Sequence, residues 1–243
     1  LDILCQLPGL LILNKPAGIA VHGPESLDTR VQGYLAGKIK PSLSFKPGPL
    51  HRLDKPTSGI IVFSLSLEGA QRFSALIRER RIKKQYLALI DGILEGPQVW
   101  EDELVRDKAL HKTFIPAGNS ARGAVHGAVQ DTPPAKSALT RVQPLASCFV
   151  TGKGYTLIRA EIETGRTHQI RAQAAAHAHP LTGDKKYGGS VQSGGFLLHA
   201  RKLEFPGDDE EHSPICITAP LPENFCRRIT ALFGQRIALE YGA

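Results

Sequence analysis

One stretch of this chain crowds ionisable and hydroxyl side chains against structure-breaking residues: His51-Arg52-Leu53-Asp54-Lys55-Pro56-Thr57-Ser58-Gly59. It sets one carboxylate between cations, then interrupts the backbone with Pro, Thr, Ser and Gly ahead of an apolar run. If Arg52 to Asp54 is extended, alternation puts Arg52 and Asp54 on one side and Leu53 on the other. Taken alone, Asp54 also suits a helix N-cap or a solvated surface charge. A single ionised carboxylate can act as a nucleophile or take up a proton. Hydrolysis of a glycosidic bond asks for a second carboxylate beside it. The only candidates for that second group are Asp184 and Glu163.

Other chemistry-bearing residues give weaker signals. His177 and His179 have the look of a metal pair but lack further ligands nearby, so no metal site is expected. Thr151-Gly152-Lys153-Gly154 lacks the spacing and following helix of a phosphate loop and reads as a hairpin turn. Cys5, Cys148, Cys216 and Cys226 are scattered without a C-x-x-C pair, which suits free thiols in a reducing cytosol.

The elements that must position these groups follow from patterning. Leu10 to Asn14 is a strand closed by the Pro16-Ala17-Gly18 turn, and Ile19 to His22 is expected to resume as an extended piece. Residues 41 to 50 carry three prolines and read as a loop leading into His51. Ile60 to Ser66 is a buried strand, and Ala70, Phe73, Leu76 and Ile77 mark one face of a helix from about Leu67 to Arg80. Lys84 to Ile90 is a strand ended by Asp91-Gly92. Residues 117 to 134 lack periodicity and read as an exposed loop or hairpin. Strands return from Ser137 and over Tyr155 to Glu163; Thr167 to His177 is expected to be helical, and Phe196 to Phe205 and Ile215 to Ala219 complete a β-rich set. Without regular β-α-β alternation, the class is α+β.

The chain has 243 residues, with Lys+Arg 30 against Asp+Glu 23 and a net charge of +7. That length buries a core without disulfides or metal, and the hydrophobic fraction of 42% excludes a disordered chain. The longest aliphatic run, Leu10 to Leu13, is far short of the roughly 20 residues of a membrane span, and no secretory leader opens the chain. A cytosolic location is expected. No Met is present, so Leu1 is not expected to be the natural start. The basic charge is clustered: Arg78, Arg80, Arg81, Lys83 and Lys84, then Lys185-Lys186, Arg201-Lys202 and Arg227-Arg228. Such clusters favour a polyanion, nucleic acid above all.

The Asp54 stretch resembles the H-R-L-D-x-x-T-S-G signature of the RluA-type pseudouridine synthases, with two free positions in nine. Further blocks are similar to that family's, in the same order. They are Leu13-Asn14-Lys15-Pro16-Ala17-Gly18, Lys83-Lys84-Gln85-Tyr86-Leu87-Ala88-Leu89, Thr164-Gly165-Arg166-Thr167-His168-Gln169-Ile170-Arg171, His179 to Asp184 with Tyr187-Gly188, and Leu197-Leu198-His199-Ala200. The resemblance runs from about residue 10 to 225. It departs at Ala172-Gln173-Ala174-Ala175-Ala176, where bulkier residues are usual, and the loop at 117 to 134 is longer than expected.

The resemblance implies a bent, mostly antiparallel mixed sheet in two subdomains, with a few helices outside and an RNA-binding cleft between. It implies one catalytic domain over 1–243. Many members of that family carry a small N-terminal RNA-binding accessory domain, and none is visible ahead of Leu10. The expectation is either that the protein lacks it or that the sequence is a fragment. Asp54 would be the nucleophile, with Arg171 as its ion-pair partner. Arg52 would displace the target base, Tyr86 would stack on the flipped uracil, and Ile170 and Leu198 would line the pocket. A guanidinium within about 4–6 Å lowers a carboxylate pKa by roughly 1–3 units, opposing the effect of burial. His168 is expected to hold local structure. The implied protein is a monomeric, cofactor-free isomerase acting on ribosomal RNA, with transfer RNA as the alternative substrate. A non-catalytic RNA-binding or remodelling module would account for the basic clusters but leaves the Asp54, Tyr86 and Arg171 set without a use.

Overall fold

A computed structural model describes residues 1–39, 44–116, 134–207 and 213–242. Most of the loop expected at 117 to 134 therefore lies outside the described residues. In chain order the elements are strands β1 (Ile3–Leu7) and β2 (Leu10–Lys15), helix α1 (Leu27–Leu35), β3 (Ser58–Ser64), α2 (Leu67–Arg78), β4 (Lys83–Asp91), β5 (Gln98–Asp107), β6 (Lys112–Phe114), β7 (Lys136–Val150), β8 (Lys153–Ile162), α3 (Gln169–Ala176), β9 (Leu198–Phe205), β10 (Ile215–Thr218), α4 (Glu223–Phe233) and α5 (Gln235–Gly242). Strands outnumber helices and do not alternate with them regularly, which is the α+β class. The chain divides into two compact units, Leu1–Ala88 with Leu197–Ala243, and Leu89–Phe196.

In the first unit, β2 pairs antiparallel with β1 and β3. Strand β9 pairs antiparallel with β4 and β10, and parallel with the first two residues of β3. Leu10, Ile12, Ile60, Val62, Phe73, Leu76, Leu203 and Phe205 form its core, with α2 supplying Phe73 and Leu76. Alternate residues of β2 and β3 reach this core because a strand's side chains change face at every residue. Ser66 caps α2 by accepting the Gly69 N–H at 3.1 Å.

One expected element differs. Ile19 to His22 is not a strand; Ala20 and Val21 give their carbonyls to Leu27 N–H and Asp28 N–H at the start of α1. Ser26 is the cap of that helix, accepting from Thr29 N–H at 3.2 Å, and Leu27, Val31 and Leu35 are its buried stripe.

In the second unit, β5 pairs antiparallel with β6 and β7, and β7 with β8. Thr151 and Gly152 turn the β7–β8 hairpin with φ of 48° and 76°, the left-handed pair that two-residue hairpin turns require. This is the turn expected from the Thr151-Gly152-Lys153-Gly154 spacing. Leu104, Ala138, Ala172 and Tyr187 form a core that joins α3 to the strands.

Candidate active site

In the first unit, the chain leaves the sheet before Asp54 and returns to it at Ser58. Leu53 is buried, Arg52 is exposed and Asp54 is half-buried, the alternation expected of an extended approach. Thr57 N–H donates to the Asp54 carbonyl at 3.0 Å and closes a turn. Gly59 then pairs with Lys15, at φ +108°, and a Cβ there would overlap the backbone of Ala200. Only glycine lets β3 approach β9 this closely.

Lys15 is the residue of this region that sequence reasoning left without a role. It is fully buried, and its ammonium donates to the carbonyls of Pro16 at 3.0 Å, Ile19 at 2.8 Å and Lys55 at 3.2 Å. Three donors meet three acceptors, which is what makes a buried ammonium tolerable. Burial pushes its pKa down to about 8, and the Asp54 charge works in the opposite direction. Its signal in the sequence was a lysine two positions beyond the Leu10 to Leu13 aliphatic run, directly before the Pro16-Ala17-Gly18 turn.

Tyr86 lies in β4 opposite Ala200 of β9, and Ala88 lies opposite Leu198. Directly opposed residues share a face, so Tyr86 and Leu198 project to the same side. Both are buried, at 8% and 6% exposure. Burial, and then the nearby Asp54 charge, push the Tyr86 phenol well above its ordinary range, so it stays neutral. Asp54, Lys15 and Tyr86 are thereby coupled electrostatically within one unit.

In the second unit, Ile170 and Arg171 are buried in the first turn of α3. Arg171 Nε donates to Asp184 Oδ2 at 2.6 Å and Nη2 to Oδ1 at 2.9 Å. The guanidinium also lies over the Tyr187 ring at 4.9 Å and the Phe196 ring at 4.5 Å. A planar cation forked by a carboxylate and flanked by π faces has little freedom left. Asp91 holds the Asp184 loop, accepting from the Thr182 hydroxyl at 2.7 Å and Ser190 N–H at 2.6 Å.

The Thr164 to Arg171 block is legible as a docking device for α3. The Gln169 carboxamide oxygen accepts from the Thr164 hydroxyl at 2.8 Å and Arg166 N–H at 3.0 Å, and its nitrogen donates to the Leu139 carbonyl at 3.1 Å. Gln173, within the departing Ala172 to Ala176 run, accepts from the Thr140 hydroxyl at 2.6 Å and donates to Asp102 at 2.8 Å. His168 takes φ 55° ahead of the helix and bonds the Tyr187 hydroxyl at 2.9 Å.

The carboxylates considered for hydrolysis are held in ion pairs, Asp184 with Arg171 and Glu163 with Arg141 at 2.8 Å. His177 pairs with Asp102 at 3.1 Å, whereas His179 bonds the Asp91 carbonyl at 3.1 Å. These two histidines turn to different partners. Several cations of the basic clusters are also paired: Lys83 and Lys202 both meet Glu204, and Arg227 meets Glu223. Exposed pairs of this kind contribute little to stability but reduce the local positive field. No helix among the described residues is long and apolar enough to cross a membrane.

The sequence matches the family described as RNA pseudouridylate synthase over residues 9–176. It is 32% identical over 251 residues to "Ribosomal large subunit pseudouridine synthase D" of Xylella fastidiosa, covering 96% of this chain and 69% of that protein. It is 32% identical over 262 residues to "tRNA pseudouridine synthase C" of Salmonella typhimurium, covering 97% of this chain and 91% of that protein. The fold is similar to that of human RNA Pseudouridylate Synthase Domain Containing 4, with a TM-score of 0.73, 24% identity, and coverage of 97% of this chain and 93% of that one.

Proposed function

Because the chain belongs to the RNA pseudouridylate synthase family, a family of isomerases, we propose that it converts uridine to pseudouridine with Asp54 as the reacting carboxylate. The observation that supports this role is the setting of Asp54: a half-buried carboxylate on a turn tied to the buried Lys15 ammonium and electrostatically coupled to Tyr86.

The reaction breaks the C1′–N1 bond of a uridine, turns the base and joins C5 to C1′, after which the C5 proton leaves. No oxidation or hydrolysis occurs, so the chemistry calls for neither a redox cofactor nor an activated water. One ionised carboxylate serves, by attack at C1′ or by removal of the C2′ proton. Arg171 is assigned as the cation that keeps Asp54 ionised when a base covers it. Within its own unit that guanidinium is forked by Asp184, so the assignment to Asp54 carries over from the likeness to the family and not from an observed pairing. Tyr86, Ile170 and Leu198 are assigned to the uracil. Stacking on an aromatic ring contributes about 1–3 kcal/mol per base, comparable to the few kcal/mol that flipping a base costs. The exposed Arg52 is assigned to the space the base vacates.

Ribosomal RNA is the proposed substrate, in the cytosol, for a monomer whose two units make one catalytic domain. The LNKPAGIAVHG opening supports the ribosomal choice. Transfer RNA is a second reading, favoured by the 32% identity to "tRNA pseudouridine synthase C". The test is to incubate the purified protein with ribosomal and transfer RNA from a strain lacking its gene, then map new pseudouridines. Modification of ribosomal RNA alone supports the first reading; modification of transfer RNA alone replaces it with the second.

A further inference from the structure

The backbone on each side of Asp54 is fastened by an imidazole, and we propose that His51 and His199 are positioning residues that fix the two ends of the Asp54 turn. This inference rests on Asp54 being the reacting carboxylate.

The upstream end is an interrupted ladder. Residues 48 to 50 run antiparallel beside β3: Ser64 N–H donates to the Gly48 carbonyl at 2.8 Å, Pro49 bridges Phe63, and Leu50 N–H donates to the Val62 carbonyl at 2.8 Å. A completed pair would return the Val62 N–H to the Leu50 carbonyl. It goes instead to His51 Nε2 at 3.2 Å. The ring thus takes the place of the strand carbonyl at the point where the chain must turn off toward Arg52 and Asp54. Since Nε2 accepts, the ring proton sits on Nδ1. The ring is stacked near Phe73, with centroids 6.4 Å apart, which limits its rotation.

The downstream end mirrors this with the opposite tautomer. Ser58, the first residue of β3, pairs in parallel register with His199 of β9. Its hydroxyl lies 2.9 Å from His199 Nδ1, while His199 Nε2 lies 3.2 Å from the Ala219 carbonyl. A carbonyl only accepts, so Nε2 carries the proton and Nδ1 accepts from Ser58. His199 has no exposed surface. Both arrangements require a neutral ring, and burial lowers the pKa of His51 to about 3 and of His199 to about 4. Neither ring is an imidazolium near neutral pH; what each supplies to the ends of the Asp54 turn is a fixed acceptor nitrogen.

The mimicry of each acceptor by an amide makes this testable. A glutamine oxygen can occupy the place of a histidine Nε2, and an asparagine oxygen that of Nδ1. Single-turnover pseudouridine formation and RNA affinity are measured for His51→Leu, His51→Gln, Ser58→Ala and His199→Asn, with Asp54→Asn alongside. His51→Leu and Ser58→Ala are expected to slow the step by at least about tenfold, as displaced catalytic groups do, with affinity within about threefold. His51→Gln and His199→Asn are expected to recover most of the wild-type rate. Ser58→Ala removes one hydroxyl only, so it reports on the clamp even if His51→Leu fails to fold. The inference is overturned if Ser58→Ala turns over at the wild-type rate, if His51→Gln is as slow as His51→Leu, or if affinity falls in step with rate. An active Asp54→Asn would overturn the underlying assignment of Asp54 instead.

Discussion

The Lys15 ammonium donates to the Lys55 carbonyl across 3.2 Å, so the end of one strand holds the peptide that follows Asp54. The amine's pKa is lowered to about 8. Above that pH it keeps two N–H donors for three carbonyls and no longer offers Asp54 a neighbouring positive charge. The single-turnover rate should therefore fall as pH rises through about 8. Lys15→Met should be slower at neutral pH and should lack that alkaline limb. Stability should move the other way: between about pH 8 and the ordinary lysine value the unfolded chain binds more protons, so this group's contribution grows with pH. A pH–rate profile and denaturant titrations at matched pH check both signs.

His51 and His199 give an acid-side prediction. Their pKa values are depressed to about 3 and about 4, and their charged neighbours, Lys84 and Arg201, are cations that oppose protonation. The unfolded state takes up protons below about pH 6.5, the folded state only near the depressed values. Stability should accordingly decline as pH falls from about 6.5 toward 4, with a slope of about 1.4 kcal/mol per pH unit for each imidazole fully titrating in the unfolded state. The variants His51→Gln and His199→Asn should each flatten that decline. An unchanged slope in both would remove these rings as its source.

Asp184 and Arg171 form a buried pair, at 2% and 7% side-chain exposure. Removing one partner of such a pair leaves an uncompensated buried charge and costs about 3–5 kcal/mol. Asp184→Asn should be destabilised by an amount in that range and should lose turnover beyond what its folded fraction explains. Activity corrected for folded protein, measured with Tm, separates the two effects.

Thr57 is buried, and its hydroxyl has no partner among the described residues. Thr57→Val should therefore be neutral or stabilising by up to about 1–3 kcal/mol, because an unsatisfied buried polar atom is exchanged for a methyl. Its turnover should be unchanged. A loss of turnover at unchanged Tm would assign the hydroxyl to the reaction.

Much of this architecture was legible because it obeys local rules. Leu10 to Asn14, Ile60 to Ser66 and the Leu67 helix declared themselves by apolar runs and by spacing, and Thr151-Gly152 by the backbone freedom a hairpin turn needs. Helix α1 was not read from the sequence, because its stripe of Leu27, Val31 and Leu35 is sparse and mostly polar residues fill the rest. Asp54, Tyr86 and Arg171 stood out through motif spacing, whereas the fork between Arg171 and Asp184 joins residues 13 apart through a turn and has no periodicity. The roles of Lys15, His51 and His199 were invisible for a related reason. Each depends on which backbone carbonyl or N–H the fold brings to a side chain, and a sequence does not display that.

The most direct measurement is tritium release from RNA labelled at uridine C5, with wild-type protein and Asp54→Asn compared on RNA lacking the modification. The account predicts release by the wild type and none by the variant, with RNA affinity kept within about tenfold, because phosphate contacts rather than this carboxylate carry binding. Release by Asp54→Asn at the wild-type rate would contradict it.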